Sequence, residues 1–104
     1  MSLEFNSEGL RVSVAGRSVT INGSPVGLTS REFDLLVFLL SHTGTVYSRE
    51  QLLKLVWQWD FGDLSTVTVH IKRLRAKLGD HHRIQTVWGR GYLWSTDGAS
   101  DRKS

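Results

Sequence analysis

The sequence contains no cysteine, a single proline and no long hydrophobic run in its 104 residues. Without cysteine the chain forms neither a disulfide scaffold nor a thiolate metal site. Its longest apolar stretch, residues 35–40, is far shorter than the roughly 20 residues needed to span a bilayer. Residues 1–7 also lack the apolar segment of a secretory signal. These absences favour a cytoplasmic protein without a membrane-spanning segment.

The composition is that of one folded domain. Apolar residues make up 39% and charged residues 22%, which is typical of a globular protein. A chain of this length is enough for one domain with one core. We expect that domain at residues 9–95, between a tail at 1–8 that is disordered or left over from expression and a polar tail at 96–104.

Positive charge is concentrated in the second part of the chain. Residues 1–64 carry a formal charge of −2 and residues 65–104 carry +5. Between residues 65 and 92 there are six lysines and arginines and one acid, Asp80. Such a positive end indicates an anionic partner, with nucleic acid first and a membrane surface second. A solvated basic helix would explain the charge equally well.

Short strands are predicted before the first helix. Residues 10–14 and 18–22 alternate between apolar and polar side chains, the period of half-buried strands. Glycine and asparagine at residues 16–17 and 22–25 supply the turns between them. A third strand is expected near residues 26–28.

Two helices are predicted next, each from its starting signal. Residues 29–32 and 48–51 have the pattern of a capping box, in which the first side chain accepts from a backbone N–H three residues later. The first helix is expected to begin at Thr29 and to be ended by Gly44. The second is expected to stop near Trp57.

The third helix is predicted to run from Ser65 or Thr66 to Leu78. Its helical period separates two faces. The buried face is predicted to contain Val67, Ile71, Leu74 and Leu78. The opposite face is predicted to contain Ser65, Val69, Lys72, Arg73 and Ala76. Small side chains beside an arginine suit the floor of a DNA major groove, where arginine pairs with guanine and an apolar group touches a thymine methyl. Lys72, at the edge of that face, suits a phosphate.

A hairpin is predicted to close the chain. Residues 84–87 and 92–94 are expected to be its strands and residues 88–91 its turn, with a glycine on each side of Arg90. The turn would place that cation in or over an adjacent minor groove. Three helices followed by such a hairpin predict an α+β winged helix-turn-helix.

Several aromatic and histidine residues leave alternatives open. Trp59 and Phe61 lie in the loop at residues 58–64, where they either fold back on the core or contact a partner. Trp88 and Trp94 are expected to pack within the hairpin and core. The four histidines do not have the spacing of a structural zinc site, so we expect no metal and no other cofactor.

Three segments together resemble one family. Residues 46–53 (VYSREQLL), 66–78 (TVTVHIKRLRAKL) and 84–92 (IQTVWGRGY) are similar to the OmpR/PhoB family, the C-terminal effector domains of bacterial two-component response regulators. The resemblance covers about residues 9–95. It implies an N-terminal antiparallel sheet of four strands, three helices with a recognition helix at 66–78, and a C-terminal wing. It also implies transcription regulation by a chain that is a monomer in isolation and a head-to-tail dimer on tandem direct repeats of double-stranded DNA, with no membrane partner.

The resemblance also implies roles for individual residues. Base contacts would come from Thr66, Thr68, Val69, His70 and Arg73. Phosphate contacts would come from Trp57, Ser65, Lys72, Arg75, Thr86, Gly89 and Tyr92. The wing residues at the minor groove would be Trp88 and Arg90. Some relatives insert an arginine into that groove from the position of Trp88, and Arg90 is the candidate cation here. The loop that meets RNA polymerase would present Trp59, Asp60 and Phe61.

Two further expectations concern function. Family members have a receiver domain with a phosphorylatable aspartate, for which this chain has no room, so we expect neither phosphorylation chemistry nor enzymatic activity within it. The alternative function is a winged-helix protein-interaction module, whose basic face contacts RNA polymerase or an acidic partner without reading DNA.

Overall fold

A computed structural model describes residues 4–60 and 62–95. The strands are β1 (Glu4–Ser7), β2 (Leu10–Ser13), β3 (Ser18–Ile21), β4 (Ser24–Pro25), β5 (Ile84–Val87) and β6 (Gly91–Trp94). The helices are α1 (Ser30–Ser41), α2 (Arg49–Leu55) and α3 (Ser65–Leu78), with a 3-10 turn at Gly79–His81. None of the helices in this part of the chain has the length and apolarity needed to cross a bilayer.

The first four strands form one antiparallel sheet in the order β1-β2-β3-β4. The sheet begins earlier than predicted, because Glu4–Ser7 pair with β2 and bring Phe5 opposite Val12. Residues 4–7 therefore belong to the sheet and are not part of a disordered tail. With one apolar residue among four, β1 is too short to show a period, and its ladder with β2 is what holds it in place.

The strand expected near residues 26–28 is also corrected. The fourth strand is Ser24–Pro25, and it pairs with Thr20 and Ile21 on β3. Pro25 has no N–H to donate, which suits an edge position. Val26 still donates to the Val19 carbonyl at 2.9 Å, and the chain then leaves the sheet toward α1.

Both predicted capping boxes are confirmed. Thr29 accepts from the Glu32 N–H at 3.2 Å, and the Glu32 carboxylate accepts from the Thr29 N–H at 2.9 Å. Ser48 and Gln51 form the same pair of bonds at 3.1 and 2.8 Å. The boxes fix where α1 and α2 begin, and α2 ends at Leu55, two residues before the predicted stop.

The core lies between the N-terminal sheet and the three helices. The side of α3 predicted to be buried is buried, with Val67, Ile71, Leu74 and Leu78 each at most 1% exposed. They pack with α1 and α2, whose leucines at residues 35, 36, 39, 52 and 53 are each at most 2% exposed. This packing fixes the rotation of α3 and so determines which of its side chains reach solvent.

The hairpin β5–β6 is held against the start of α2 by its second strand. Tyr47 and Tyr92 exchange two backbone hydrogen bonds, both 2.9 Å long. Gly91, at φ 144°, permits this approach, because a Cβ there would overlap the Tyr47 carbonyl and lie 2.8 Å from the Ser48 Cα. The wing is therefore attached to the helix-turn-helix at a position where only glycine fits.

Candidate nucleic-acid interface

The outward face of α3 is open to solvent as predicted. Its exposed residues are Ser65, Thr68, Val69, Lys72, Arg73 and Ala76. Val69 is 39% exposed, although valine is ordinarily a core residue. Within the described residues, the side chains of Lys72 and Arg73 make no ion pair and no hydrogen bond. The outward face of α3 thus carries two basic side chains that are unpaired in the described chain, and an exposed valine, among small side chains.

Thr66 and His70 lie at the margin of that face. The His70 Nδ1 atom lies 2.7 Å from the Thr66 carbonyl oxygen, and the ring packs edge-on to Trp57 with centroids 4.9 Å apart. Both residues are half-buried. The bond at Nδ1 leaves Nε2 as the ring nitrogen that remains available to a ligand.

Trp57 is buried, at 5% exposure. Its ring contacts His70 edge-on, and the guanidinium of Arg31 lies 5.9 Å from the ring centroid. Little of the indole is left for the phosphate contact that the resemblance implies. Its packing links α1 to α3 at the edge of the candidate interface.

Ser65, at the first position of α3, stands beside an acid. Its backbone N–H donates to Asp63 at 2.9 Å, and the bonds from Ser65 hold the pKa of that carboxyl below its ordinary value. An ionised carboxylate at this end of α3 opposes the approach of a phosphate.

Arg75 and Thr86, two expected phosphate ligands, are bonded to each other. The guanidinium donates to the Thr86 hydroxyl at 2.7 Å and to the Ile84 carbonyl at 3.2 Å. It also lies 5.7 Å from the ring centroid of Tyr92, which is 9% exposed. These contacts join α3 to the wing and fix the angle between them.

The tip of the wing departs from the prediction. Trp94 is buried, as expected, but Trp88 is 89% exposed, so the expectation that it packs within the hairpin is wrong. Residues 88–90 form the turn, which is closed by the 2.9 Å bond from the Arg90 N–H to the Val87 carbonyl. The indole therefore projects from the tip beside Gly89 and Arg90, both of which are exposed.

Arg49 belongs to the same surface and was missed from the sequence. It lies in the first turn of α2 and donates to the Thr68 hydroxyl at 3.3 Å. A groove runs here between the start of α2, α3 and the wing, with Arg49, Glu50, Thr68 and residues 86–92 among its lining. The helix dipole disfavours a positive charge in the first turn of a helix. The position of Arg49 just after the capping residue Ser48 is therefore the sequence feature that could have indicated a role other than helix stability.

The loop after α2 is partly exposed. Trp59 is 46% exposed and donates its backbone N–H to the Leu53 carbonyl at 3.2 Å, while Leu55 is 49% exposed. One side of the Trp59 ring lies close to Gly62. Asp60 is exposed, and Phe61 lies outside the described residues. Trp59 thus folds partly toward the domain and keeps nearly half of its surface in water.

Three helices followed by a two-stranded wing define a winged helix-turn-helix domain, which confirms the predicted fold class. Residues 23–94 match the family described as "Transcriptional regulatory protein, C terminal". The chain therefore belongs to this family of effector domains, which is the OmpR/PhoB type predicted from the sequence. It is a family of transcriptional regulators and not of enzymes.

Similar proteins agree with that assignment. YclJ of Bacillus subtilis, a transcriptional regulatory protein, is 47% identical over 97 residues, which cover 89% of this chain and 43% of YclJ. The response regulator DrrB of Thermotoga maritima, an OmpR/PhoB homologue, has a TM-score of 0.80 and 30% identity over 88% of this chain and 44% of DrrB. The chain thus spans less than half the length of both relatives.

A third similar structure includes DNA. The RstA DNA-binding domain of Klebsiella pneumoniae, solved in complex with the RstA box, has a TM-score of 0.78 and 35% identity, over 88% of this chain and 96% of that domain.

Proposed function

We propose that this chain binds double-stranded DNA sequence-specifically and thereby regulates transcription, with α3 in the major groove and the wing at the adjacent minor groove. The observation that carries the proposal is the outward face of α3, where Lys72 and Arg73 are exposed without partners in the described chain. The DNA complex of the RstA domain supports it, because that domain has the same fold at 35% identity.

Direct readout comes from the centre of the outward face. Arg73 pairs with a guanine through two hydrogen bonds, and Val69 touches a thymine methyl. Thr68 has a hydroxyl on the same face, which Arg49 already orients through a 3.3 Å hydrogen bond. Thr66 and His70 contact DNA at the margin, where both are half-buried.

Phosphate contacts surround that centre and set the register of the helix. Lys72 and the exposed backbone of Gly89 bind phosphates of the DNA strands that border the major groove. Arg49 adds a third positive charge in the protein groove between α3 and the wing. Arg75, Thr86 and Tyr92 act mainly by holding the wing, because the Arg75 guanidinium bonds to the Thr86 hydroxyl and lies near the Tyr92 ring. Ser65 and Trp57 contribute weaker contacts, since one lies beside Asp63 and the other is buried.

The assembly and partners follow from the same proposal. Two copies bind tandem direct repeats head to tail, and the free chain is a monomer. The loop with Trp59, Asp60 and Phe61 contacts RNA polymerase, supported by the exposure of Trp59 at 46% and of Leu55, at the end of α2, at 49%. The chain catalyses no reaction and acts in the cytoplasm, where bacterial DNA is.

The alternative function is a protein-interaction module whose basic face meets RNA polymerase or an acidic partner without reading DNA. The exposed Leu55 and Trp59 favour a protein contact at the loop, but they lie outside the groove between α3 and the wing. A protein contact at the loop therefore leaves the cationic face of α3 without a partner, whereas DNA binding occupies it.

Selection of sites from random duplex DNA, followed by a salt titration, tests the proposal. We expect a directly repeated motif and a slope of log K against log salt near −5, as for about six neutralised phosphates. A pool that shows no enrichment, together with no duplex binding at low salt by the folded chain, would support the protein-only alternative.

A further inference from the structure

Trp88 is the most exposed large apolar side chain in the described part of the molecule, at 89%. Aromatic side chains supply much of the buried surface of cores and interfaces. A fully exposed indole therefore indicates a surface that binds a partner. Trp57 and Trp94 are buried in the core, at 5% and 2% exposure, and Trp59 in the loop after α2 is 46% exposed. Trp88 at the tip of the wing is thus the most exposed of the four indoles.

Backbone hydrogen bonds hold the turn that carries the Trp88 indole. The turn is closed by the Arg90–Val87 backbone bond, and β6 is bonded to Tyr47 at the start of α2. A Cβ at Gly89 would meet nothing within 4 Å, so the space beside this residue of the turn is open. Because the backbone is ordered before binding, little further ordering is needed when the indole enters a site.

The charges around the tip select the kind of partner. Arg90 is exposed two residues after Trp88. The groove beside the wing is lined by two arginines, Arg49 and Arg90, and by one acidic residue, Glu50. A second copy that met this surface through its own wing would bring the same positive charge to the contact. A polyanion would be attracted to it, and the proposed docking of α3 in a major groove would place the wing at the adjacent minor groove.

We propose that Trp88 acts as an apolar wedge, inserted from the minor groove between two stacked base pairs, with Arg90 on the flanking backbone. Wedge side chains unstack a step partially and kink the duplex toward the major groove. Pyrimidine–purine steps, TA above all, unstack most easily. Trp88 is thus a specificity residue that favours a TA step at a fixed distance from the bases read by α3. The inference rests on the proposed function. It adds a base-pair step that the protein would recognise by how easily the step unstacks and not by hydrogen bonds to the bases.

The test uses duplexes that carry the selected motif, with either TA or AA at the step facing the wing. One set of duplexes carries 2-aminopurine at that step and another carries a donor–acceptor dye pair at the ends. The wild-type chain is compared with Trp88→Ala and Trp88→Phe. Each variant is first melted without DNA, and unchanged melting is expected because the side chain is exposed.

We expect the wild type to raise 2-aminopurine emission, to bend the duplex and to prefer TA over AA. Trp88→Ala should lose the emission change, the bend and the preference, with affinity for the TA site about tenfold weaker or more. Trp88→Phe, which keeps a smaller ring, should retain part of each. The preferences at the positions read by α3 should be the same in all three proteins.

Three results would overturn the inference, and they are distinguishable. If Trp88→Ala binds and bends the TA duplex like the wild type, the wedge is wrong and the proposed function stands. If the free wild type forms a dimer that Trp88→Ala abolishes while DNA bending persists, the indole belongs to a protein contact. If the folded wild type binds no duplex, the proposed function fails and the wedge with it.

Discussion

Glu32, at 1% exposure in the first turn of α1, accepts a 2.6 Å hydrogen bond from Lys77 in the last turn of α3. Burial alone would raise the pKa of the Glu32 carboxyl. The hydrogen bonds from Lys77 and from the Thr29 N–H, together with the Lys77 charge, outweigh burial and hold that pKa below its ordinary value of 4.5. The Glu32 Oε1 atom thus accepts the Thr29 N–H that caps α1 and also holds Lys77 at the end of α3.

Lys77→Met should destabilise the domain, because it leaves a buried carboxylate without its cation. We expect a loss of about 2–3 kcal/mol, less than for a fully enclosed pair because Lys77 is itself 36% exposed. Chemical denaturation measures it, and Glu32→Gln combined with Lys77→Met should recover part of the loss. Equal stability of Lys77→Met and wild type would show that the bond is incidental.

His82 should make the wing sensitive to acid. Burial, and then the charge of Arg75, lower the pKa of His82 below its ordinary value of 6.5, and its Nδ1 accepts the Ile84 N–H at 3.0 Å at the start of β5. Its contribution to stability is full above pH 6.5, where the unfolded chain is also neutral, and is lost as the pH falls through the lower folded value.

The matched variant for this effect is His82→Asn, since an amide oxygen replaces Nδ1 as acceptor and does not titrate. Melting temperatures from pH 7.5 to pH 5 should fall less steeply for the variant than for the wild type. Parallel curves would mean that the imidazole does not sense pH in the folded chain.

Gly91→Ala should loosen the wing. The added Cβ overlaps the Tyr47 carbonyl and strains a backbone at φ 144°, so we expect a loss of about 2 kcal/mol or more. Gly89→Ala is the control, because its φ of 78° is strained but its Cβ would meet nothing within 4 Å. That variant should lose about 1 kcal/mol. Hydrogen exchange at the Tyr47 and Tyr92 amides should accelerate in Gly91→Ala alone.

The two faces of α3 should respond differently to truncation. Leu74 is 0% exposed, so Leu74→Ala should cost about 2–5 kcal/mol of folding free energy. Val69→Ala, on the exposed face, should change stability by less than about 0.5 kcal/mol. Thermal melting of the pair checks the rotation of the helix, and similar losses at both positions would contradict it.

The sequence predicted well those features that local patterns determine. The rotation of α3 was correct because four aliphatic residues over residues 67–78 repeat with the helical period, and the capping boxes at Thr29 and Ser48 located two helix starts. The fold class followed from the order of these elements. Such signals lie within a few residues of one another and need no knowledge of tertiary contacts.

Features set by contacts between distant segments were not predictable in the same way. Strand β1 depends on its partner β2, since its own four residues include a single apolar side chain. Arg49 reaches Thr68, nineteen residues further along the chain, and Arg75 is bonded to Thr86 on the wing. Trp88 was expected to pack within the hairpin, whereas the turn directs its side chain outward.

Arg73 provides the most direct test that the outward face of α3 reads DNA. Arg73→Ala should weaken binding to the selected site by about 1–3 kcal/mol and relax selectivity at one base position. Arg11→Ala, which removes the same charge from β2, is the control and should bind as the wild type does. If Arg73→Ala binds the selected site with wild-type affinity and selectivity, the outward face of α3 is not the reading surface.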